Sequence, residues 1–325
     1  MTNAIVMKST GGPDVLTWEE YDPGTPQAGE VRIDQRAVGL NFIDVYHRTG
    51  IYPLPDLPAI PGMEGAGVVV AVGEGVGDLA LGDRVAYAGL PVGAYAESRC
   101  IPADRLVKVP EQISLEEAAA MMLQGMTARY LLKGCFKVGS NSTILLHAAA
   151  GGVGLIMCQW AAYLGATVIG TVGSSAKAEL AKKHGCAHTV LYTDGDFATA
   201  VDDVTGGQGV DVVYDSVGQA TFAESLKCLR PMGMMVSFGQ SSGPVEAVEL
   251  GMLAAHGSLF LTRPSLMHYT AKCEDLQAHA KDLFDVVTRK AISIRIGNRF
   301  KLADAAEAHR QLEARNTTGS SLLLV

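Results

Sequence analysis

Hydrophobic residues follow two different periods along this chain, and the change from one to the other falls near residue 114. Up to about residue 110 the apolar positions come in short alternating runs, "EVRIDQRAVGLN", "GAGVVVAVGEGV", "GDRVAY" and "ESRCIPADRLVKVP", rich in β-branched residues and bounded by glycine and proline. Such runs predict a compact β-rich unit with tight turns. At "SLEEAAAMMLQGMTARYLL" the spacing becomes helical, and Ser114 with Glu117 three residues on has the form of a capping box. Beyond it "TILLH", "VGLIMCQWAAYLGA", "TVIGTV", "AKAELAKKHG", "TVLY", "DVVYDSV", "FAESLKCLR", "MMVSFG" and "SLFLT" alternate strand and helix. About six strands with helices between them imply right-handed crossovers and a doubly wound parallel sheet, an α/β nucleotide fold. After "TRPSL" come a helical "KCEDLQAHAKDLFDVVTRKA", a strand-like "ISIRIGNRFK", a helical "LADAAEAHRQLEARN" and a final "SSLLLV", which we assign back to the β-rich unit. The expected organisation is a discontinuous first domain, residues 1–124 with 266–325, and a nucleotide domain, residues 125–265.

The first strand and helix of the alternating region are joined by "HAAAGGVG", residues 147–154. On that frame Ala149-Ala150-Gly151-Gly152-Val153-Gly154 is G-x-G-x-x-G with alanine at the first position. Gly151 then lets backbone amides approach a pyrophosphate, and Gly154 lets the helix pack closely on the strand. Ala149 takes over the tight turn, and the phosphate rests on the helix N-terminus near Gly152 and Val153. A strand before the turn, a helix after it and the further alternating units separate this from a glycine-rich turn without a ligand. An NAD site wants an Asp or Glu about 20 residues on, at the end of the second strand. Here that strand ends in Val172-Gly173-Ser174, with no carboxylate and with Lys177 within one helical turn. The Gly173 amide, the hydroxyls of Ser174 and Ser175 and the Lys177 ammonium suit a 2′-phosphate. NADPH is expected rather than NADH.

Composition narrows the function classes. Of 325 residues, 48% are hydrophobic and 18% charged, enough apolar material for two cores. The net charge of −8 leaves no basic stripe to neutralise phosphates, so a nucleic-acid partner is not expected. The cysteines (Cys100, Cys135, Cys158, Cys186, Cys228, Cys273) are scattered without a CxxC, which indicates neither a disulfide framework nor a zinc knuckle. They read as reduced thiols in a cytoplasmic protein. "MTNAIVMKSTGGPD" has no apolar core of signal-peptide length, and the longer apolar stretches are broken by polar residues, so no membrane span is expected.

A β-rich unit followed by this nucleotide unit resembles the medium-chain dehydrogenase/reductase family. In the zinc alcohol dehydrogenases of that family a cysteine lies shortly after the first strands and a GHE-type motif follows. The matching stretches here are "GLNFIDVYHRTG" and "PGMEGAG", which place Asn41 and Met63 at the cysteine and histidine positions. Glu64 remains, and a lone carboxylate does not hold zinc. The cysteine-rich lobe that carries structural zinc is also missing, so no metal is expected. Within the zinc-free branch, "VGLNFIDVYHRTGIYP", "HAAAGGVGLIMCQWA", "GTVGSSAKA", "VVYDSVG", "MVSFGQSSG", "TRPSL" and "GSSLLL" are similar to the bacterial NADPH:quinone oxidoreductases, relatives of zeta-crystallin. The resemblance covers essentially the whole chain. It implies a GroES-like catalytic domain beside a Rossmann domain, and cofactor contacts at Asn41, Thr127, Gly152, Val153, Gly173, Lys177, Tyr192, Ser216, Phe238, Ser241 and Arg315. It also implies a homodimer formed by edge strands of the two nucleotide domains, here "SLFLT".

The chemistry can be read from the residues as well. A nicotinamide cofactor carries the hydride, and the protein binds it, orients it and excludes water. A quinone accepts hydride readily and its oxygens then take protons, whereas alcohol oxidation calls for a Lewis acid. Asn41, Tyr46 and Tyr52 are the candidate catalytic residues, lining a flat, partly polar pocket in which a tyrosine stacks or donates its hydroxyl. Arg263 either pairs internally or contacts the cofactor, and the residues alone leave this open. His47 is read as solvent-facing, His147 as a satisfied core histidine, Asp215 as a turn or capping residue, and Arg315 as a surface residue apart from the resemblance. Met121, Met122, Met126, Met232, Met234 and Met235 are read as core filler. Competing readings are a reductase of activated C=C bonds in 2-alkenals or enones, and a non-catalytic NADPH-binding protein of the crystallin kind.

Overall fold

Strand Glu30–Leu40 displays the period-2 pattern directly, with Val31, Ile33 and Gln35 buried and the residues between them half exposed. In the computed structural model, which describes residues 1–192 and 196–325, this strand is the centre of a seven-stranded sheet. It pairs antiparallel with Glu64–Val72, Ser98–Pro102 and Ser320–Leu324. The inward residues Ile5, Val31, Ile33, Leu40, Val69, Val85, Ile101 and Leu323 form one hydrophobic core. The sheet belongs to a unit made of Met1–Met126, Thr270–Thr288 and Ile294–Val325; a second unit comprises Thr127–Tyr269 and Arg289–Ser293. Helix α1 (Phe42–Thr49) interrupts the β-rich part where the sequence pattern suggested only strands and turns. Its Asn41–Asp44 capping box and left-handed Gly50 are ordinary start and stop signals. Helix α2 (Leu115–Tyr130) starts on the expected box, with the Glu117 N–H donating to Ser114 Oγ at 3.1 Å.

The second unit holds a six-stranded sheet, all parallel. In chain order its strands are Thr143–Leu146, Thr167–Val172, His188–Leu191, Val210–Asp215, Leu229–Ser237 and Phe260–Thr262. They lie third, second, first, fourth, fifth, sixth across the sheet, so the order reverses between the first and fourth. Ile144, Leu145 and Leu146 are all buried, as both faces are covered by helices. Leu145, Ile169, Val213, Met235, Phe222 and Leu226 pack on one face. The helix Phe197–Thr205, capped by the Asp196 side chain and closed by left-handed Gly206, and the short helix Leu250–Ala255 were not anticipated. The sixth strand is an edge, and its Phe260 and Leu261 are 59% and 38% exposed. Met232 is 64% exposed at a left-handed turn (φ 61°), so it is not core filler as Met121, Met122, Met126 and Met235 are. Among the described residues no helix is long and apolar enough to cross a membrane.

Candidate active site

In the second unit the first strand runs into the "HAAAGGVG" turn, and helix α3 (Gly152–Tyr163) begins with Gly151 as an extended N-cap that makes no side-chain capping bond. The amides of the first turn have no partner within the helix, and they sit at the positive end of its dipole. The residue that bends the chain is Ala148, in the left-handed region at φ 54°, and not Ala149 as the motif spacing implied. Ala149 is buried, with its methyl over Gly170 of the second strand, where a Cβ would come within 2.6 Å of it. The missing glycine of the motif is therefore offset by a bare position on the neighbouring strand. At Gly154 a Cβ would collide with the Ala148 carbonyl oxygen and stand 2.7 Å from that of Ala149, so glycine alone allows α3 to lie this close.

The second strand ends beside Gly173, where the Tyr192 hydroxyl occupies the space a side chain would need. Ser174 caps helix α4 (Ser175–Lys183), its Oγ accepting the Lys177 N–H at 3.3 Å. Gly173, Ser174, Lys177 and Tyr192 are thus neighbours. Ser216, Phe238 and Ser241 meet where the fourth and fifth strands end: the Phe238 N–H donates to Asp215 O at 2.8 Å and the Ser241 N–H to Ser216 O at 3.1 Å. Arg263 follows the sixth strand and donates from Nη1 to Ser237 O at 2.8 Å. Thr127 is buried at the start of this unit. Asp215 is buried and organises a turn, with Oδ1 accepting from Val217 N, Gly218 N and the Thr221 hydroxyl. His147 is satisfied by Thr171 at 2.9 Å and Ser225 at 2.8 Å. Apart from Thr127, which lies in α2, the sequence-predicted residues of this unit follow the carboxyl ends of strands, where open parallel sheets bind ligands.

In the first unit Asn41 is the hub. Its N–H donates to Asp44 Oδ2 at 2.9 Å, its Nδ2 to Glu64 Oε2 at 2.6 Å, and its Oδ1 accepts from Gln124 Nε2 at 3.0 Å. Gln124 Oε1 accepts from the Ser320 hydroxyl at 2.6 Å, and Glu64 Oε1 from the Leu123 N–H at 2.8 Å. Burial pushes the Glu64 carboxyl up to about 8 and the Asp44 carboxyl up to about 7, since neither ion has enough solvation to replace water. Asp44 Oδ2 also accepts from the Tyr95 hydroxyl at 3.0 Å, while Oδ1 has no partner. Tyr95 in turn meets His309 Nε2 at 3.0 Å, and His309 Nδ1 meets Arg48 Nη1 at 3.2 Å. A guanidinium has only donors, so Nδ1 accepts and Nε2 carries the proton. His309 is held neutral, its pKa lowered to about 3 by burial first and the Arg48 charge second. Arg48, 1% exposed, is clamped by both oxygens of Glu313 at 2.8 Å.

Residues 27–111 match the alcohol dehydrogenase GroES-like domain, and residues 152–283 match the zinc-binding dehydrogenase family. A quinone oxidoreductase of Pseudomonas aeruginosa is 50% identical over 324 residues, covering the whole of both chains. The chain belongs to the quinone oxidoreductases of the medium-chain dehydrogenase/reductase family. A 2-haloacrylate reductase of a Burkholderia species is 47% identical over 332 residues, covering all of this chain and 99% of that one. The structure of the Escherichia coli quinone oxidoreductase complexed with NADPH matches 99% of this chain and all of its own, at 45% identity and a TM-score of 0.98. Although one family is described as zinc-binding, no group of three or more His, Cys, Asp or Glu among the described residues could hold a metal ion.

The remaining expected site residues of the first unit are Tyr46, Tyr52 and Arg315. Tyr46 is 6% exposed, its ring 5.5 Å from Phe42 and 5.1 Å edge-on from Tyr52, which leaves little of it for a ligand. Tyr52 is half buried. His47 is buried rather than solvent-facing, because α1 turns it inward beside Tyr52, and burial lowers its pKa. Arg315 is an exposed residue of the first unit at φ 60°, between the helix Ala305–Glu313 and the last strand. Gln124, Ser320, Tyr95 and His309 were missed altogether. No local motif marks them; Gln124 and Ser320 alone show as polar residues in largely apolar elements.

Proposed function

We propose that this protein is an NADPH-dependent quinone oxidoreductase that passes a hydride from NADPH to small quinones without a metal. The observation that carries the reading is the α3 N-terminus at the carboxyl ends of a reversed parallel sheet, joined to a second-strand tip without a carboxylate. The residues fit the cofactor. The Gly152, Val153 and Gly154 amides bind a pyrophosphate, with Gly151 bare beside them. Gly173, Ser174 and Lys177 hold the 2′-phosphate, and Tyr192, Ser216, Phe238, Ser241, Arg263, Thr127 and Arg315 complete the cofactor contacts. NADPH, when bound, supplies the hydride. Asn41 donates an N–H to the acceptor carbonyl oxygen as negative charge develops there, and Tyr52, packed edge-on against the buried Tyr46, supplies the apolar wall. The Asn41 amide is held on both sides, by Glu64 and by Gln124, so it needs little reorganisation at the moment of reaction.

Purified protein with NADPH and 1,4-benzoquinone is expected to oxidise NADPH well above the uncatalysed rate, with NADH much poorer and a chelator without effect. Asn41→Ala should lower kcat/KM for the quinone by roughly 10²-fold, the usual cost of removing one such donor, well beyond any loss of NADPH affinity measured by fluorescence. Turnover no faster than the background reaction sinks the reading. A second reading, reduction of an activated C=C bond, is favoured by the identity with the 2-haloacrylate reductase. Robust turnover of a 2-alkenal with none of the quinone would select it.

The exposed apolar edge strand Phe260–Thr262 supports a homodimer in which two such edges pair. Phe260→Lys is expected to give monomers in sedimentation velocity under conditions where the unaltered chain sediments as a dimer. An unaltered chain that sediments as a monomer refutes the pairing. All six cysteines are free thiols, in keeping with a reducing cytoplasm.

A further inference from the structure

Four buried side chains in the first unit form a line in which every link is occupied. Ser320 Oγ donates to Gln124 Oε1, Gln124 Nε2 to Asn41 Oδ1, and Asn41 Nδ2 to Glu64 Oε2, while Glu64 Oε1 takes the Leu123 N–H. In this direction both oxygens of Glu64 are acceptors, as a carboxylate requires. A proton on Oε2 makes that oxygen a donor, and an amide NH₂ cannot accept it. Asn41 must then turn its amide over to offer Oδ1, Gln124 must turn to offer Oε1 to Asn41 Nδ2, and the Ser320 hydroxyl accepts where it had donated. The Glu64–Asn41, Asn41–Gln124 and Gln124–Ser320 links can each be made in either direction, so the line has two states that differ by one proton.

We propose that Glu64 is the positioning residue for Asn41, and that its protonation sets which end of the Asn41 amide faces Glu64 and which faces Gln124. The proposal rests on the reading above in one respect, that Asn41 faces the acceptor. The surroundings of Glu64 favour the neutral acid near pH 7. Burial is the largest influence, raising it to about 8, the Asp44 carboxyl on α1 acts in the same sense, and the Asn41, Leu123 and Met122 hydrogen bonds oppose them. The Tyr87 phenol, from the neighbouring strand Arg84–Ala88, and the Tyr95 phenol also sense the Glu64 charge, and both have pKa values raised by burial. Hydride addition leaves negative charge on the acceptor oxygen. A carboxylate one hydrogen bond behind Asn41 would repel that charge, so the neutral, turned-over line is the productive one.

The test is Glu64→Gln, which keeps the shape and lets its Oε1 accept from Leu123 while its NH₂ always donates to Asn41 Oδ1. For the unaltered protein kcat/KM with 1,4-benzoquinone, background subtracted, is expected to fall above about pH 8, approaching tenfold per pH unit as a single ionisation does. In Glu64→Gln that limb disappears, whereas in Asp44→Asn, which leaves Glu64 in place, it persists. Glu64→Leu, which holds no amide, lowers kcat at every pH. Infrared difference spectra of the protein without cofactor give a second readout: a protonated-carboxyl band that is lost near pH 8 and is absent from Glu64→Gln. Persistence of the limb in Glu64→Gln, full activity in Glu64→Leu, or no such band overturns the proposal. If Asn41→Ala leaves quinone turnover unchanged, the placement of the acceptor fails instead, and the infrared titration still decides the wiring.

Discussion

Gly154→Val is expected to weaken NADPH binding by more than about a hundredfold while leaving a folded chain. The new Cβ would overlap the Ala148 carbonyl oxygen and press on that of Ala149, both backbone atoms that cannot turn aside. Helix α3 must therefore move off the turn, and its first-turn amides no longer converge on one phosphate. Each charge-assisted hydrogen bond to an anion is worth about 1.5–3 kcal/mol, and about 2.8 kcal/mol corresponds to a hundredfold in affinity. Overpacking of this kind also costs stability, about 1–3 kcal/mol, which a lower Tm reports without cofactor present. Gly151→Ala makes the internal comparison. Its Cβ meets only Ala148 O, at 3.2 Å, and a smaller loss is expected. Unimpaired NADPH binding by a folded Gly154→Val protein would place the phosphate site elsewhere.

The second large effect is on cofactor choice. Lys177→Glu should cost NADPH about a hundredfold in affinity and NADH only a few-fold, because only NADPH carries the 2′-phosphate. Lys177 stands in the first turn of α4, half buried beside the Ser174 cap and the bare Gly173. Removing the cation loses a charge-assisted contact, and adding a carboxylate repels the phosphate, together on the order of 3 kcal/mol at low ionic strength. The difference should shrink as salt rises, since a half-exposed pair is partly screened. Fluorescence titrations with both nucleotides at two ionic strengths make the measurement. Equal losses for both would refute the assignment.

How much was legible in advance follows from the range over which each signal acts. The strand–helix alternation was readable because each element carries its own period, and the six-stranded parallel order followed from it. Helix α1 spans only eight residues, too few for a clear helical period, so Asn41, Asp44 and Gly50 bracket it without a pattern that separates it from a turn. At residues 147–154 the motif located the strand-to-helix turn and misplaced its bend. Ala149 is tolerated through Gly170, a residue on the neighbouring strand that no local motif includes. The Asn41 line shows the same limit. Glu64, Gln124 and Ser320 reach Asn41 from three different stretches of chain, and nothing in their spacing announces it.

By itself the sequence determined the periods, caps and turn residues that set each element, the glycines a phosphate-binding turn requires, and the lack of a carboxylate and presence of Lys177 after the second strand. These are local properties, written in residues a few positions apart. The tertiary structure decided which polar groups lose water together. Burial of Glu64 and Asp44 around Asn41, and of His309 between Tyr95 and Arg48, is what moves their proton equilibria and orients the amide. Desolvation depends on everything packed around a group, and residues as far apart in the chain as Asn41 and Ser320 become neighbours only when the sheet closes over them.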